Sequence, residues 1–457
     1  MNTLILLSAL GLVCLLSEIF NFKKALLPLV FIGLIGAAVL AVCDWNTDRH
    51  YFNEMMVMDN FSIAFTIVLI VITVFWFAIS PRYFTDPSNE TDHFSLIIFA
   101  LIGAVTMVSF NNMIMLFLGI EILSISMYIL AGSNKRSLDS NEAALKYFLM
   151  GAFATGFLLF GITLLYGATG TFQLDKISTG LQQIGTKGTP IALIGILLMM
   201  IGLSFKVSAV PFHFWAPDVY EGSPTVITAF MSTVVKTAAI AAFFRVFTHT
   251  FTLDSESWHQ TLWVISCATI LIGNITAVYQ KNVKRMLAYS SIAHAGYMLM
   301  AILSMNSTSA SSLLFYTIAY GISSITSFGV LLAVNANTAG ESIDSFNGLA
   351  KKNPLLSIIT TIAMLSLAGI PPTAGFFAKY YIFSSALQNG LTSLVLIAVA
   401  GSLIGVFYYF RIIIALFKET ESDVIRIPLS LKMVLILTSA IVLVLGIAPE
   451  LIAGLLS

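Results

Sequence analysis

The chain of 457 residues is 58% hydrophobic and 10% charged, with a mean hydropathy of +0.94 and a formal net charge of zero. These proportions lie far from those of a soluble globular domain, and apolar runs of 18 or more residues recur to the C-terminus, so the reading is an integral membrane protein without a sizeable soluble domain. Cys14, Cys43 and Cys267 are isolated, so no zinc or iron–sulfur site is legible, and nothing in the charge points to a nucleic-acid partner.

In chain order, apolar windows predict about 14 transmembrane helices in an all-α polytopic fold: 3–20, 25–43, 61–80, 93–110, 112–132, 142–167, 190–210, 223–249, 260–279, 285–304, 308–335, 354–386, 389–417 and 430–455. Met1-Asn2-Thr3 supplies no basic n-region, so the first window is expected to stay as a helix. An even count puts both termini on one side. The opposite loops carry Lys23, Lys24, Arg82, Lys135, Arg136, Lys281, Lys284, Arg285, Lys351, Lys352, Lys418, Arg426 and Lys432, against Arg49, Lys176 and Lys187 on the terminal side. By the positive-inside rule both termini face outward.

Two windows carry breaks. Pro211 ends the seventh, and the twelfth contains Ala368-Gly369-Ile370-Pro371-Pro372-Thr373-Ala374-Gly375, where Pro371 and Pro372 remove two amide donors and clash with the preceding turn. Broken helices at membrane depth are tolerated only against protein or a wet cavity. Segments seven and twelve differ by five, an odd offset that reverses membrane direction. Helices 4–8 (92–249) and 9–13 (260–417) are therefore read as two inverted five-helix repeats within a single transmembrane domain, flanked by 1–80 and 430–457. In that scheme Glu121 and His294 each lie about nine residues into their helices.

The seventh and eighth windows hold Lys206 and Lys236. Lys236 stands on the order of 20 Å from either end of its run, beyond the reach of a snorkelling stem. An ammonium at that depth costs about 2.5 to 3.5 kcal/mol on insertion scales, so an intramembrane lysine reads as functional. Lys379 follows the double proline. Glu121 sits near the middle of the fifth window, where a lone carboxyl would stay protonated and one beside Lys206 would be charged. With His294 these residues suggest a polar line crossing the protein in the membrane plane. A buried lysine suits proton transfer because moving a neighbouring anion decides whether its proton stays. Moving one charge through 100 mV costs about 2.3 kcal/mol, which pairing or unpairing such a lysine can supply.

Structural alternatives stay open at each position. Glu121 can be a hydrogen-bonded acid tying helices together, His294 a core histidine bonded to hydroxyls, and Lys379 an interfacial residue beside Tyr380-Tyr381. Lys146, Arg245 and Arg411, nearer helix ends, read as snorkelling cations. His213, Asp218 and Glu221 read as a loop turn, with proton uptake as the second reading.

Pro211-Phe212-His213-Phe214-Trp215-Ala216-Pro217-Asp218-Val219-Tyr220-Glu221-Gly222-Ser223-Pro224-Thr225, Leu287-Ala288-Tyr289-Ser290-Ser291-Ile292-Ala293-His294-Ala295-Gly296-Tyr297 and Leu367-Ala368-Gly369-Ile370-Pro371-Pro372-Thr373-Ala374-Gly375-Phe376-Phe377 resemble subunit N of bacterial NADH:quinone oxidoreductase, respiratory complex I. The general pattern is shared with subunits L and M and with multisubunit cation/proton antiporters, and the wording of these motifs is nearer N. The resemblance implies a 14-helix antiporter-like fold in the bacterial inner membrane with outward termini. It implies proton translocation through Glu121, Lys206 of broken helix seven, the bridging Lys236, and Lys379 of broken helix twelve. It also implies that NADH, FMN, iron–sulfur clusters and quinone are bound by other subunits, none by this chain, and that subunits M and K lie on either side among membrane lipid. In the expected mechanism Glu121 gates the charge on Lys206, protons pass Lys236 and the His294 region, and Lys379 faces the exit. A component of a multisubunit sodium/proton antiporter is the alternative, and a scaffold whose buried charges only join helices is a third.

Overall fold

Peptide groups in hydrocarbon have no water to bind, and a helix satisfies them within one segment. The computed structural model describes all residues except 21, 23, 24, 81, 82, 84–89, 184–188, 252–254, 339, 420–424 and 457. Among the described residues twelve helices are long and apolar enough to cross a membrane, and two shorter apolar helices, Asn2–Leu16 and Pro354–Ala368, accompany them. Lys23, Lys24, Arg82 and Lys187, used in the loop-charge count, lie outside the described residues.

The predicted windows fall on helices, and the differences lie inside them. The seventh ends earlier than expected, as Thr189–Val207, because the chain turns at Ser208 (φ +62°) ahead of Pro211. It then re-forms a helix over Trp215–Gly222, so Asp218 and Glu221 are helical rather than in a loop, while His213 stays in the intervening turn. The eighth window is not one regular helix. Thr225–Phe230 and Lys236–Arg245 alternate with π-helical Met231–Val235 and Val246–Thr250. Such π insertions are rare and gather at functional sites. The twelfth splits as expected, into Pro354–Ala368 and Ala374–Gln388, with Gly369 at φ +83° closing the first half. The fourteenth stops at Ile447, and a short turn of helix, Glu450–Ala453, follows Pro449.

Among the described residues, elements outside the predicted windows include the antiparallel hairpin Arg49–Tyr51/Met56–Met58, the helix Leu174–Gln183, which buries only Leu174 and Ile177, and the short turns of helix Ile343–Phe346 and Leu349–Lys352.

The chain divides into two compact units, with boundaries at the Ser208 break and inside the π segment at Thr233/Val234. In the first (Met1–Val74, Ser80–Ser208, Val234–Leu262), Thr189–Val207 packs along Leu138–Thr169, and Glu90–Ser109 along Met113–Ala131. Glycine permits that approach: a Cβ on Gly103 would lie 2.5 Å from the Leu123 amide nitrogen. In the second (Phe75–Ile79, Ala209–Thr233, Trp263–Ser457), Ser309–Thr338 packs against both halves of the broken helix and against Leu429–Ile447. Here a Cβ on Gly273 would lie 2.6 Å from the Ala293 amide nitrogen.

Candidate functional site: lysines held on neutral acceptors

Lys206 occupies the last turn before the Ser208 break and is 5% exposed. Its ammonium donates to Ser124 Oγ at 2.5 Å, and the Ser124 hydroxyl in turn donates to the Ile120 carbonyl. The rings of Tyr128 and Tyr147 lie beside it, with Nζ 5.7 and 5.9 Å from their centroids. Among the described residues Glu121 makes no ion pair or hydrogen bond, and the partner of the Lys206 ammonium is Ser124. An ion pair between Glu121 and Lys206 is thus not formed. Glu121 shares the outward face of Met113–Ala131 with Leu118 and Ile125, three and four residues away, whereas Ser124 and Tyr128 point into the unit.

Lys236 is the first residue after the π segment Met231–Val235 and is 2% exposed, in a span whose most apolar window is wholly buried. Nine residues on, Arg245 corrects the snorkelling expectation. It is buried and ion-paired with Asp59, donates to Ser62 Oγ at 3.0 Å and to the Val108 carbonyl at 2.7 Å, and lies 5.5 Å from the Phe61 ring. The signal for this was Asp59 just before an apolar window, an N-cap position: its carboxylate accepts from the Ser62 amide.

In the second unit Lys379 is 7% exposed. Nζ donates to the Ala368 carbonyl at 2.7 Å and to Ser402 Oγ at 2.8 Å, and lies 5.3 Å from the Tyr297 ring centroid. The break after Ala368 frees a carbonyl, and the lysine satisfies it, so a defect that lipid would not tolerate becomes a cation site. Lys379 also floors a cleft of about 430 Å³ bounded by Phe376, Tyr380, Phe383 and Leu403.

His294 is buried, its Nδ1 2.7 Å from Tyr316 Oη and its Nε2 3.2 Å from Tyr409 Oη, with Tyr409 also bonded to Ser290. A void of about 10 Å³, enough for one water, lies against His294, Tyr316, Tyr320, Ser323 and Ser366. The helices carrying Glu121 and His294 are capped by Asn112 and Asn282. Glu121 stands nine residues past its cap and His294 twelve past its own.

At the charged end of the second unit Arg285 meets Asp218 at 3.1 Å and Glu221 at 2.5 Å. The buried Lys284 donates to the Ser223 carbonyl at 2.6 Å and lies 3.7 Å from Glu341. These contacts clamp Trp215–Gly222 to the start of Val283–Ser304. Ser124, Tyr128, Tyr147, Ser402, Tyr316 and Tyr409 went unremarked in the sequence, since hydroxyl residues inside apolar helices carry no motif of their own.

Buried lysines in polytopic helices, two of them at helix breaks, define an antiporter-like membrane protein, and the family model described as NADH:quinone oxidoreductase/Mrp antiporter, TM, matches residues 110–405. The chain is 46% identical over 459 residues, the whole of both chains, to NADH-quinone oxidoreductase subunit N of Flavobacterium psychrophilum. A chain of respiratory complex I from Thermus thermophilus, solved with bound aureothin, is 31% identical with a TM-score of 0.87, covering 99% of this chain and 98% of that one. The chain belongs to the NADH-quinone oxidoreductase subunit N family. A chain of the Mrp complex from Dietzia sp. shares the fold alone, with a TM-score of 0.88 at 21% identity over 99% and 95% of the two chains.

Proposed function

We propose that this chain is a proton-translocating membrane subunit of a bacterial NADH:quinone oxidoreductase, in which electron transfer from NADH to quinone, carried out with its cofactors in other subunits, drives protons across the inner membrane. The observation that carries this reading is the setting of the lysines. Lys206 and Lys379 are buried in apolar helices and donate to hydroxyls and a carbonyl instead of carboxylates. A proton leaving such a lysine need not break an ion pair, and an approaching anion can call it back. Glu121 is the gating anion for Lys206, and Lys236, His294 and Lys379 are the further proton-bearing groups.

Asn2–Leu16 and Pro354–Ala368, the latter continued by Ala374–Gln388, complete fourteen crossings with both termini on the outer side, and subunits M and K flank the chain. Two inverted repeats, 92–249 and 260–417, organise it. Their support is a shared construction. Gly103 and Gly273, the bridges Asn112–Gln173 and Asn282–Ser342, and Lys206 and Lys379 recur about 170 positions apart.

Proton uptake per NADH oxidised, measured in inverted vesicles carrying Lys206→Ala or Lys236→Ala in the assembled complex, tests the proposal. A fall in the ratio or in coupled turnover is expected, and wild-type pumping in both variants would leave only a scaffold. The sodium/proton antiporter reading, favoured by the fold shared with the Mrp chain, requires sodium-dependent transport without NADH. Replacing sodium with an impermeant cation separates the two.

A further inference from the structure

If Lys206 carries a proton, it must rest somewhere while parted from Glu121. We propose that Ser124, Tyr128 and Tyr147 form that resting place and act as positioning residues for the charged lysine; the inference rests on the proton-carrier reading. The pocket is built for a cation. Ser124 commits its own hydrogen to the Ile120 carbonyl, which turns its oxygen lone pairs to the ammonium. Tyr128 and Tyr147 stand nearly perpendicular, at 89° with centroids 4.7 Å apart, and both bring their rings within cation–π range of Nζ. Both tyrosines are buried, so water competes little for the charge.

The neighbouring helix is shaped for this arrangement. Gly151, one turn beyond Tyr147 on Leu138–Thr169, has no side chain where Tyr128 lies: a Cβ there would come within 2.0 Å of Tyr128 Oη. Every partner of the cation in this pocket is neutral, so it holds Lys206 more weakly than a carboxylate would and releases it when Glu121 becomes available. Glu121 precedes Ser124 by three residues on the same helix, so the exchange spans less than one helical turn and a lysine stem can swing across it.

The test uses the assembled complex in inverted vesicles, with NADH-driven proton uptake normalised to the amount of complex. Replacing both tyrosines by leucine (Tyr128→Leu with Tyr147→Leu), or introducing Gly151→Ala, is expected to lower uptake roughly tenfold. The pair Tyr128→Phe with Tyr147→Phe, which keeps the ring faces, is expected to restore most of it. Should the leucine pair fail to assemble, Gly151→Ala and the single leucine variants decide. Wild-type uptake in the leucine variants, or phenylalanine variants as impaired as leucine ones, overturns the resting place while a dead Lys206→Ala leaves the carrier reading standing. Wild-type uptake in Lys206→Ala instead removes the carrier reading and this inference with it.

Discussion

The Lys206 and Lys379 centres solve one problem by different means. Each lysine sits beside a helix break, donates to a serine on another helix and lies against tyrosine. Around Lys379 the backbone does much of the work: the break leaves the Ala368 carbonyl facing the ammonium, and the site opens into a cleft. Around Lys206 side chains do it, with one serine acceptor and two tyrosines in a closed pocket. A backbone-built site withstands side-chain change, whereas a side-chain-built site is exposed to it. The same contrast extends to the arginines. Arg245 in the first unit is buried on Asp59, while Arg285 in the second bridges Asp218 and Glu221 half in solvent.

The arginines give the largest expected difference. Removing one partner of a buried pair costs about 3 to 5 kcal/mol, and the partial exposure of Asp59 places Arg245→Ala at the lower end of that range, whereas Arg285→Ala costs about 0 to 1 kcal/mol. Thermal denaturation of the purified complex should show a much larger fall for Arg245→Ala; equal falls would erase the contrast. Gly103→Ala and Gly273→Ala should each cost about 1 to 3 kcal/mol, because a Cβ meets backbone in both units. A large loss at one and none at the other would break the repeat.

Ser124→Ala should cost about 1 to 3 kcal/mol by taking the acceptor from a buried ammonium, and Ser402→Ala about 0.5 to 1.5 kcal/mol, since Ala368 still accepts from Lys379. The reverse order, read from the same melts, would show that the freed carbonyl is not the main anchor of Lys379. Asn112→Ala and Asn282→Ala should behave alike, each losing an N-cap worth about 1 kcal/mol. Unequal midpoint shifts there would mark the two caps as serving different ends.

Much was legible from residue order alone. Long apolar runs must become helices in lipid, a double proline must interrupt one, and a lysine in mid-run has to be sheltered by protein; each is a local consequence of the chain's own chemistry. Helix positions, the twelfth-helix break, and the burial of Lys206 and Lys236 were therefore readable. Partner choice was not. Ser124 instead of Glu121 for Lys206, Asp59 for Arg245, and Tyr316 and Tyr409 for His294 depend on which helix faces turn toward each other. The π turns around Lys236–Arg245 and the early turn at Ser208 also leave no mark in hydropathy. Hydropathy places a helix in the bilayer, but its rotation is set by glycine contacts and hydroxyl pairings between segments far apart in the chain, and only the folded molecule decides those.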